Sequence, residues 1–104
     1  MNHFQFREIN MDDYKKLVGL VAADKESKKL GKIINVEDIE NSKTKIKKPH
    51  ALIMVKNFLR KDVVIVMELS KLQKSDSYYA WFDILKKNFV QEVNETRALM
   101  LLYE

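Results

Sequence analysis

The side chains that could do chemistry in this sequence are few and widely spaced. The two histidines, His3 and His50, lack the i, i+4 spacing that places two imidazoles on one metal ion. Cysteine is absent, which excludes thiolate nucleophiles, disulfide frameworks and cysteine-based metal sites. With two glycines in the whole chain, neither a GxGxxG nor a GxxxxGK[ST] phosphate-binding loop can be built. The sequence therefore predicts no metal site and no cofactor.

The hydroxyl and carboxyl groups do not form a recognisable catalytic set either. All five serines fall in predicted turns, outside any GxSxG or SxxK context. We interpret the acidic cluster Glu37, Asp38 and Glu40 as a solvated loop rather than a cation site or an acid–base pair. Glu68 interrupts an apolar strand, so we expect its carboxylate to form an ion pair with a lysine. These patterns predict a protein that is not an enzyme, has no catalytic residues and takes no small-molecule substrate.

One group of residues that could bind a partner is a basic stretch over residues 41–61, which contains no acid. If residues 43–47 form a strand, alternation places Lys43, Lys45 and Lys47 on one face. Such a face would attract a phosphate backbone or an acidic protein. A charged edge strand that discourages unwanted strand pairing is the alternative interpretation. The candidate anion-binding residues are Lys43, Lys45, Lys47, Lys48, Lys56, Arg60 and Lys61.

A second candidate is the aromatic segment 78–82, which predicts a strand. Alternation sends Tyr79 and Trp81 to one face and Tyr78 and Phe82 to the other. One pair should lie in the core, and the other could be an exposed surface for a protein or a stacking platform for bases. We expect Trp81 to be largely buried against the terminal segment or a partner. The candidate partner-binding residues are Tyr78, Tyr79, Trp81 and Phe82.

The composition sets the class of protein that must position these groups. The chain has 104 residues, of which 46% are hydrophobic and 33% charged, and this balance excludes collagen-like and disordered classes. Its length predicts one domain, residues 1–104. The apolar runs are far shorter than a membrane-spanning helix requires, and the N-terminus lacks the apolar core of a secretory signal. We expect a soluble cytoplasmic protein that does not insert into a membrane.

The elements follow from hydrophobic periodicity. Alternation predicts a short N-terminal strand at residues 3–9, and residues 10–14 indicate a turn or a single helical turn. Residues 16–23 and 30–36 predict a hairpin, in which Gly19 and Gly31 allow a bulge or close strand crossing. Residues 37–43 indicate a polar connection. The remaining predicted elements are an extended segment at 44–57 interrupted at Pro49, a central strand covered on both faces at 63–69, a strand at 78–83, a helical turn to about residue 93, and a last segment at 98–103 that suits either helix or strand, of which we favour strand.

The stretch from Asp13 to Glu40 resembles the opening hairpin of a PRC-barrel domain. The matching positions are Gly19, Leu20 and Val21 in the first strand and Leu30, Gly31, Ile33 and Val36 in the second. The segments ALIMVKN, VVIVMELSKL and FVQEVNETRALML fit the later strands of the family more loosely, so that the resemblance covers about residues 12–102. It implies an all-β fold, a small, strongly curled β-barrel of about six or seven strands with a short C-terminal helical segment.

The resemblance also implies a class of function. PRC-barrel domains act as adaptor or assembly modules without catalytic residues, as in proteins of archaeal cell division. We therefore expect a protein partner, a homodimer being one form of it, bound through a sheet edge and exposed aromatic residues. The alternative is an RNA-associated or ribosome-maturation factor that uses the basic stretch 41–61.

Overall fold

The computed structural model describes residues 11–57, 59 and 61–102. A short 3-10 turn, Leu69–Lys71, links two of its strands. The N-terminal strand predicted at residues 3–9 lies outside the described residues. The described elements are the helix α1 (Met11–Lys15), the strands β1 (Val21–Ala23), β2 (Lys29–Glu40), β3 (Lys47–Val55), β4 (Val63–Glu68), β5 (Leu72–Ser75) and β6 (Tyr79–Phe82), and the helix α2 (Lys86–Leu102).

The strands of the described residues form one sheet in the order β4-β3-β2-β1-β6-β5. Neighbouring strands are antiparallel except for β1 and β6, which run parallel. The two edge strands, β4 and β5, do not pair with each other within the described part of the chain, so this sheet is not closed into a barrel. The predicted β-rich fold with a short C-terminal helix is confirmed.

The connection between β4 and β5 constrains the shape of the sheet. These strands lie at opposite edges, yet only Leu69–Lys71 separate the end of one from the start of the other. The four residue steps from Glu68 to Leu72 span at most about 14 Å. In a flat sheet of this order the edges would be about 24 Å apart, because neighbouring strands are spaced by about 4.8 Å. The sheet must therefore bend until one end of β4 approaches one end of β5.

The core lies on the inner side of this bent sheet. Alternate residues of the strands point into it, among them Ile33, Ile53 and Phe82, each with no exposed surface. Helix α2 contacts β4 and β2 and contributes Phe89 and Val93 to the same cluster. The spacing of these two residues, with Thr96 and Met100 continuing at i+7 and i+11, is that of one helical face. The helix therefore fills the space that the bent sheet encloses.

Gly31 shows how closely the strands approach one another. A side-chain Cβ at this position would lie 2.5 Å from the carbonyl oxygen of Met54 and 2.9 Å from Cγ2 of Ile53. The prediction of close strand contact at Gly31 is confirmed. Gly19 serves differently, since it lies before β1 in a left-handed conformation with φ of 95°. Its N–H donates to the Ile33 carbonyl oxygen at 2.8 Å, which continues the β1–β2 pairing beyond the regular strand.

The prediction that residues 63–69 form a central strand covered on both faces is wrong. β4 pairs with β3 on one side only and is an edge strand, and its buried and exposed residues alternate. The apolar side chains on the outer side of β4 are exposed to solvent and are not covered by a second layer of secondary structure. An apolar run on both faces is equally compatible with an edge strand, because composition does not report which face is covered.

The prediction of a polar connection at residues 37–43 is also wrong at its start. β2 continues to Glu40, which lies opposite Lys47 of β3, and Asp38 lies opposite Pro49. Opposite charges across an antiparallel ladder stabilise such a pair, so the acidic residues continue the strand. Pro49 does not interrupt β3. Pairing with β4 begins at His50, so β3 has no second neighbour at Pro49, and a proline is tolerated there.

The terminal strand that we favoured at residues 98–103 is wrong as well. Helix α2 runs without interruption from Lys86 to Leu102. Met100 packs partly against the core on the same helical face as Val93. Contact between that face and the sheet favours continuation of the helix, whereas the apolar run alone fits either structure.

Candidate functional site

The outer side of β2, β3 and β4 carries a surface that we call the outer patch: Leu52, Met54, Val64 and Val66. Directly opposed residues of an antiparallel ladder lie on the same face of a sheet. Met54 opposes both Val64 and Lys32, and Leu52 opposes both Val66 and Asn35. The four apolar side chains therefore form two adjacent rows, with a polar residue of β2 completing each row.

The outer patch is accessible in this chain. Val64 is 40% and Val66 44% exposed, whereas Ile65 between them is 2% exposed. Leu52 and Met54, flanked by strands on both sides, are half-buried. An uncharged run of five residues, 63–67, thus lies at a sheet edge with two of its valines facing outwards. Apolar side chains grouped in this way mark an interaction surface more often than scattered ones do.

A row of ionisable residues bounds the outer patch at one end. His50 opposes Glu68 on one side and Glu37 on the other. Lys48 Nζ lies 3.4 Å from the Glu68 Oε1 oxygen, which confirms the predicted ion pair. A hydrogen bond from the Ser70 side chain, and then the Lys48 ammonium group, hold the pKa of the Glu68 carboxyl below its ordinary value. A carboxyl with a lowered pKa stays ionised near neutral pH and is a poor general acid.

A cleft of about 410 Å³ opens beyond this row, where the β2–β3 hairpin extends past the end of β4. His50 Nδ1 lies 2.8 Å from the Lys48 carbonyl oxygen, within hydrogen-bond distance of it. The cleft mixes both signs of charge with apolar groups. Its lining residues are Ile39, Glu40, Asn41, Thr44, Ile46, Lys48, His50 and Glu68.

The aromatic segment occupies the other half of the sheet. Tyr79 and Trp81 lie on one face, as predicted, with ring centroids 5.6 Å apart. Trp81 is half-buried, less than we expected, because it lies on the outer face of β6. Its indole N–H donates to Ser27 Oγ at 3.1 Å, and Lys74 Nζ lies 4.7 Å from its ring centroid. These contacts hold the ring in place while part of its surface stays accessible.

The other two aromatic residues of this segment have opposite environments. Phe82 is fully buried in the core, so it is not available to a partner, and Tyr78 is 74% exposed. They do not form one face, because Tyr78 precedes β6 and lies in a turn. Asp76 Oδ1 accepts hydrogen bonds from the N–H groups of Tyr78 and Tyr79, which sets this turn. Tyr78, Tyr79 and Trp81 therefore remain as candidate contact residues.

The basic stretch does not form one surface. Lys43 and Lys45 lie in the turn between β2 and β3, where Asn41 Oδ1 accepts hydrogen bonds from the N–H groups of Lys43 and Thr44. The predicted alternation of Lys43, Lys45 and Lys47 on one strand face is therefore wrong, and Lys45 has a positive φ of 61°.

The remaining basic residues divide between the two ends of β3. Lys47 opposes Glu40 and Lys48 pairs with Glu68. Lys56 follows the far end of β3, about 27 Å along the strand from Lys48. Lys61 precedes β4 and is exposed, and Arg60 lies outside the described residues. Two of the lysines at the hairpin end therefore neighbour a glutamate.

Three further observations bear on function. Residues 11–57, 59 and 61–102 contain no group of three His, Asp or Glu side chains that could hold a metal ion. In the same residues no helix is long and apolar enough to cross a membrane. No protein-family model matches the chain, and no curated protein matches it.

Sequence reasoning missed two features of the structure. It described the segment that contains Leu52 and Met54 only as extended, because the strand order that exposes one side of β3 is not encoded in local periodicity. It also passed over Asp24, which is fully buried and accepts hydrogen bonds at both carboxylate oxygens. An aspartate followed by a short polar turn is a recognised turn motif, and this pattern could have identified it.

Proposed function

We propose that this chain is a non-enzymatic adaptor or assembly module that binds proteins, itself included, through a sheet edge and exposed aromatic residues. The observation that carries the proposal is the edge strand β4, whose outward Val64 and Val66 are 40% and 44% exposed. Protein partners bury apolar side chains of this kind, whereas a soluble monomer gains nothing from exposing them. The finer reading of the fold as a PRC-barrel, a module of the kind found in archaeal cell-division proteins, belongs to the same proposal.

The distribution of protective residues supports this choice of surface. Natural proteins guard exposed strand edges with lysine and proline. Here β3 begins with Lys47, Lys48 and Pro49 where it extends past β4, and the edge strand β5 contains Lys74. β4 carries no such residue from Val63 to Met67. The edge of β4, which lacks lysine and proline, therefore coincides with the exposed valines, as expected if one partner covers both.

The aromatic residues supply a second contact surface. Tyr78 is the most exposed aromatic residue of the described chain, and Tyr79 and Trp81 lie beside it on β6. Tyrosine and tryptophan contribute strongly to protein interfaces because they bury a large area with few rotatable bonds. Lys74 and Ser27 already fix the Trp81 ring, so binding there would cost little side-chain entropy.

Site-specific photo-crosslinking tests the proposal. A crosslinking amino acid at position 66 or 78 should capture a protein in cells, and the same group at Val90, an equally exposed valine of α2, serves as the matched control. A captured protein counts as a partner only if the purified pair binds and Val66→Lys or Tyr78→Ser weakens that binding by about tenfold or more.

Both variants must keep the wild-type free energy of unfolding, because their side chains are exposed. Equal capture at positions 66, 78 and 90, or purified binding that neither variant changes, contradicts the proposal.

A further inference from the structure

We propose that the outer patch is the interface of a symmetric homodimer, in which the sheets of two copies pack outer face to outer face with their β4 strands antiparallel. This inference rests on the proposed function and names the partner as a second copy of the chain. The proposal depends on the charges at the two ends of the outer patch. One end carries more basic than acidic side chains (Lys32 and Lys56 against Asp62) and the other more acidic than basic ones (Glu37 and Glu68 against Lys48), so the surface complements itself when one copy is reversed.

The strand register shows which charged residues lie at each end of the outer patch. At one end the row Lys32, Met54 and Val64 finishes on an exposed lysine, and Lys56 lies just beyond it. At the other end lies the row of Glu37, His50 and Glu68, where the Lys48 ammonium group lies 3.4 Å from Glu68 and partly neutralises it. About 14 Å separate these two rows, since four residue steps of about 3.4 Å lie between them. The apolar residues occupy the space between opposite charges.

A twofold axis can bring two such faces together in either of two orientations. An axis along the strands places like ends together, so that Lys32 of one copy approaches Lys32 of the other. An axis across the strands reverses one copy and brings each acidic row toward Lys32 and Lys56 of the other copy. When this axis passes between the two apolar rows, Val64 lies over Val66 and Met54 over Leu52. Of the two orientations, only the reversed one brings together both the apolar rows and the ends of opposite net charge.

The size of the patch determines how tight the dimer can be. It is three strands wide and about 14 Å long, which is small beside the roughly 800 Å² per partner of a standard interface. The outer side of a bent sheet is also convex, which limits the contact area further. We therefore expect a weak dimer that appears as protein concentration rises, not an obligate one.

Sedimentation equilibrium over a wide range of protein concentration tests the dimer. The wild-type chain should shift from monomer to dimer, and Val66→Lys should raise the dissociation constant by at least about tenfold. Val90→Lys, which adds the same charge at a valine of similar exposure on α2, should leave the dissociation constant unchanged. Val66→Thr, which keeps the β-branched shape, gives a milder form of the same test if the lysine variant unfolds.

Charge exchange tests the orientation. Lys32→Glu and Glu37→Lys should each raise the dissociation constant by about threefold to tenfold, and the double exchange in one chain should restore it. Both single effects should shrink at high salt. Under the opposite orientation Lys32→Glu removes a like-charge contact and tightens the dimer, which would overturn the inference.

The failure of this inference can be told apart from failure of the proposed function. A strict monomer at every concentration overturns the homodimer. If Val66→Lys then still weakens binding to a purified crosslinked partner, the adaptor proposal stands and the patch belongs to a different protein. Dimerisation that Val66→Lys and Val90→Lys affect equally also overturns the inference, since the interface would then lie elsewhere.

Discussion

The Asp24 Oδ2 oxygen accepts a hydrogen bond of 2.8 Å from the backbone N–H of Lys86, the first residue of α2. Its other oxygen, Oδ1, accepts hydrogen bonds of 2.8 Å from the N–H groups of Glu26 and Lys28. One buried carboxylate therefore closes the turn between β1 and β2 and caps the helix that fills the core. Negative charge at a helix N-terminus is favourable because the free N–H groups there carry partial positive charge.

Asp24→Ala should lower the free energy of unfolding by about 2–4 kcal/mol, because it leaves three backbone N–H groups without their acceptor in a buried site. Urea denaturation followed by circular dichroism measures the loss. Asp83→Ala is the matched control, since the Asp83 side chain is 61% exposed and lies 4.0 Å from Lys25. That variant should change the stability by less than about 0.5 kcal/mol, and equal losses for both would refute the role assigned to Asp24.

Stability should fall in acid, and Asp24 should contribute to the fall. Burial alone raises the pKa of Asp24, but hydrogen bonds from the backbone N–H groups of Lys28, Lys86 and Glu26 and the Lys28 charge outweigh it, so that the pKa lies below its ordinary value. A carboxyl whose pKa is lower in the folded chain stabilises the fold at pH values above its unfolded pKa. This contribution is lost as the pH drops through the folded value. Thermal melts between about pH 6 and pH 2 should show a smaller acid-induced decrease for Asp24→Asn than for the wild type, and an unchanged decrease would contradict the assignment.

Gly31→Ala should destabilise the chain by about 1–3 kcal/mol, because the new Cβ would clash with the backbone carbonyl of Met54 and strands must shift to admit it. Gly19→Ala provides a comparison, since open space surrounds that position and only its positive φ opposes a side chain. Its cost should be about 1 kcal/mol. Chemical denaturation of both variants tests the difference, and a neutral Gly31→Ala would show that β2 and β3 are farther apart than this structure places them.

Lys45→Gly should stabilise the chain by about 0.5–1 kcal/mol, because it relieves a left-handed conformation that a lysine adopts at a cost. Lys43→Gly in the same turn is the control. Lys43 does not have a positive φ, so its replacement adds only unfolded-state entropy and should be neutral or destabilising. Thermal melts of both variants at neutral pH give the comparison, and a destabilising Lys45→Gly would contradict the turn geometry.

The RNA-associated alternative makes its own prediction. Because the basic residues divide between the two ends of β3, and Glu40 and Glu68 neighbour two of them, we expect single-stranded RNA to bind more weakly than about 100 μM even at low salt. Fluorescence anisotropy with a labelled RNA measures this affinity. Tighter binding that falls steeply with salt, and that is lost when Lys43, Lys45, Lys47 and Lys48 are changed to Glu, would favour the alternative.

Local pattern predicted those parts of the fold that depend on neighbours along the chain. The hairpin between β1 and β2, the helical turn near Met11 and the close approach at Gly31 follow from alternation, capping residues and glycine position, but the first strand begins at Val21 and not at residue 16 as predicted. The order of the strands in the sheet could not be predicted from local pattern. The parallel pairing of Val21 with Tyr79 joins residues from distant parts of the sequence, and it is this pairing that leaves β4 at an edge.

The candidate site also contains features that local pattern predicts and features that depend on the strand order. The Glu68 ion pair could be predicted, because a carboxylate in an apolar strand requires a partner wherever the strand lies. The outer patch could not, since Val64 and Val66 look the same in sequence as the buried Ile65. The basic stretch was wrongly predicted as one face because Asn41 ends β2 with a side-chain hydrogen bond that alternation does not reveal.

The three-residue strand β1 is the part of the sheet through which its two halves are joined. On one side, β2, β3 and β4 form a meander in which each strand pairs with its neighbour in sequence, and on the other, β5 and β6 form a hairpin. Both halves can form by closing short loops, which costs little chain entropy. The long closure occurs where Val21 meets Tyr79. In kinetic terms, the folding barrier should therefore lie at the docking of two locally formed halves rather than within either of them.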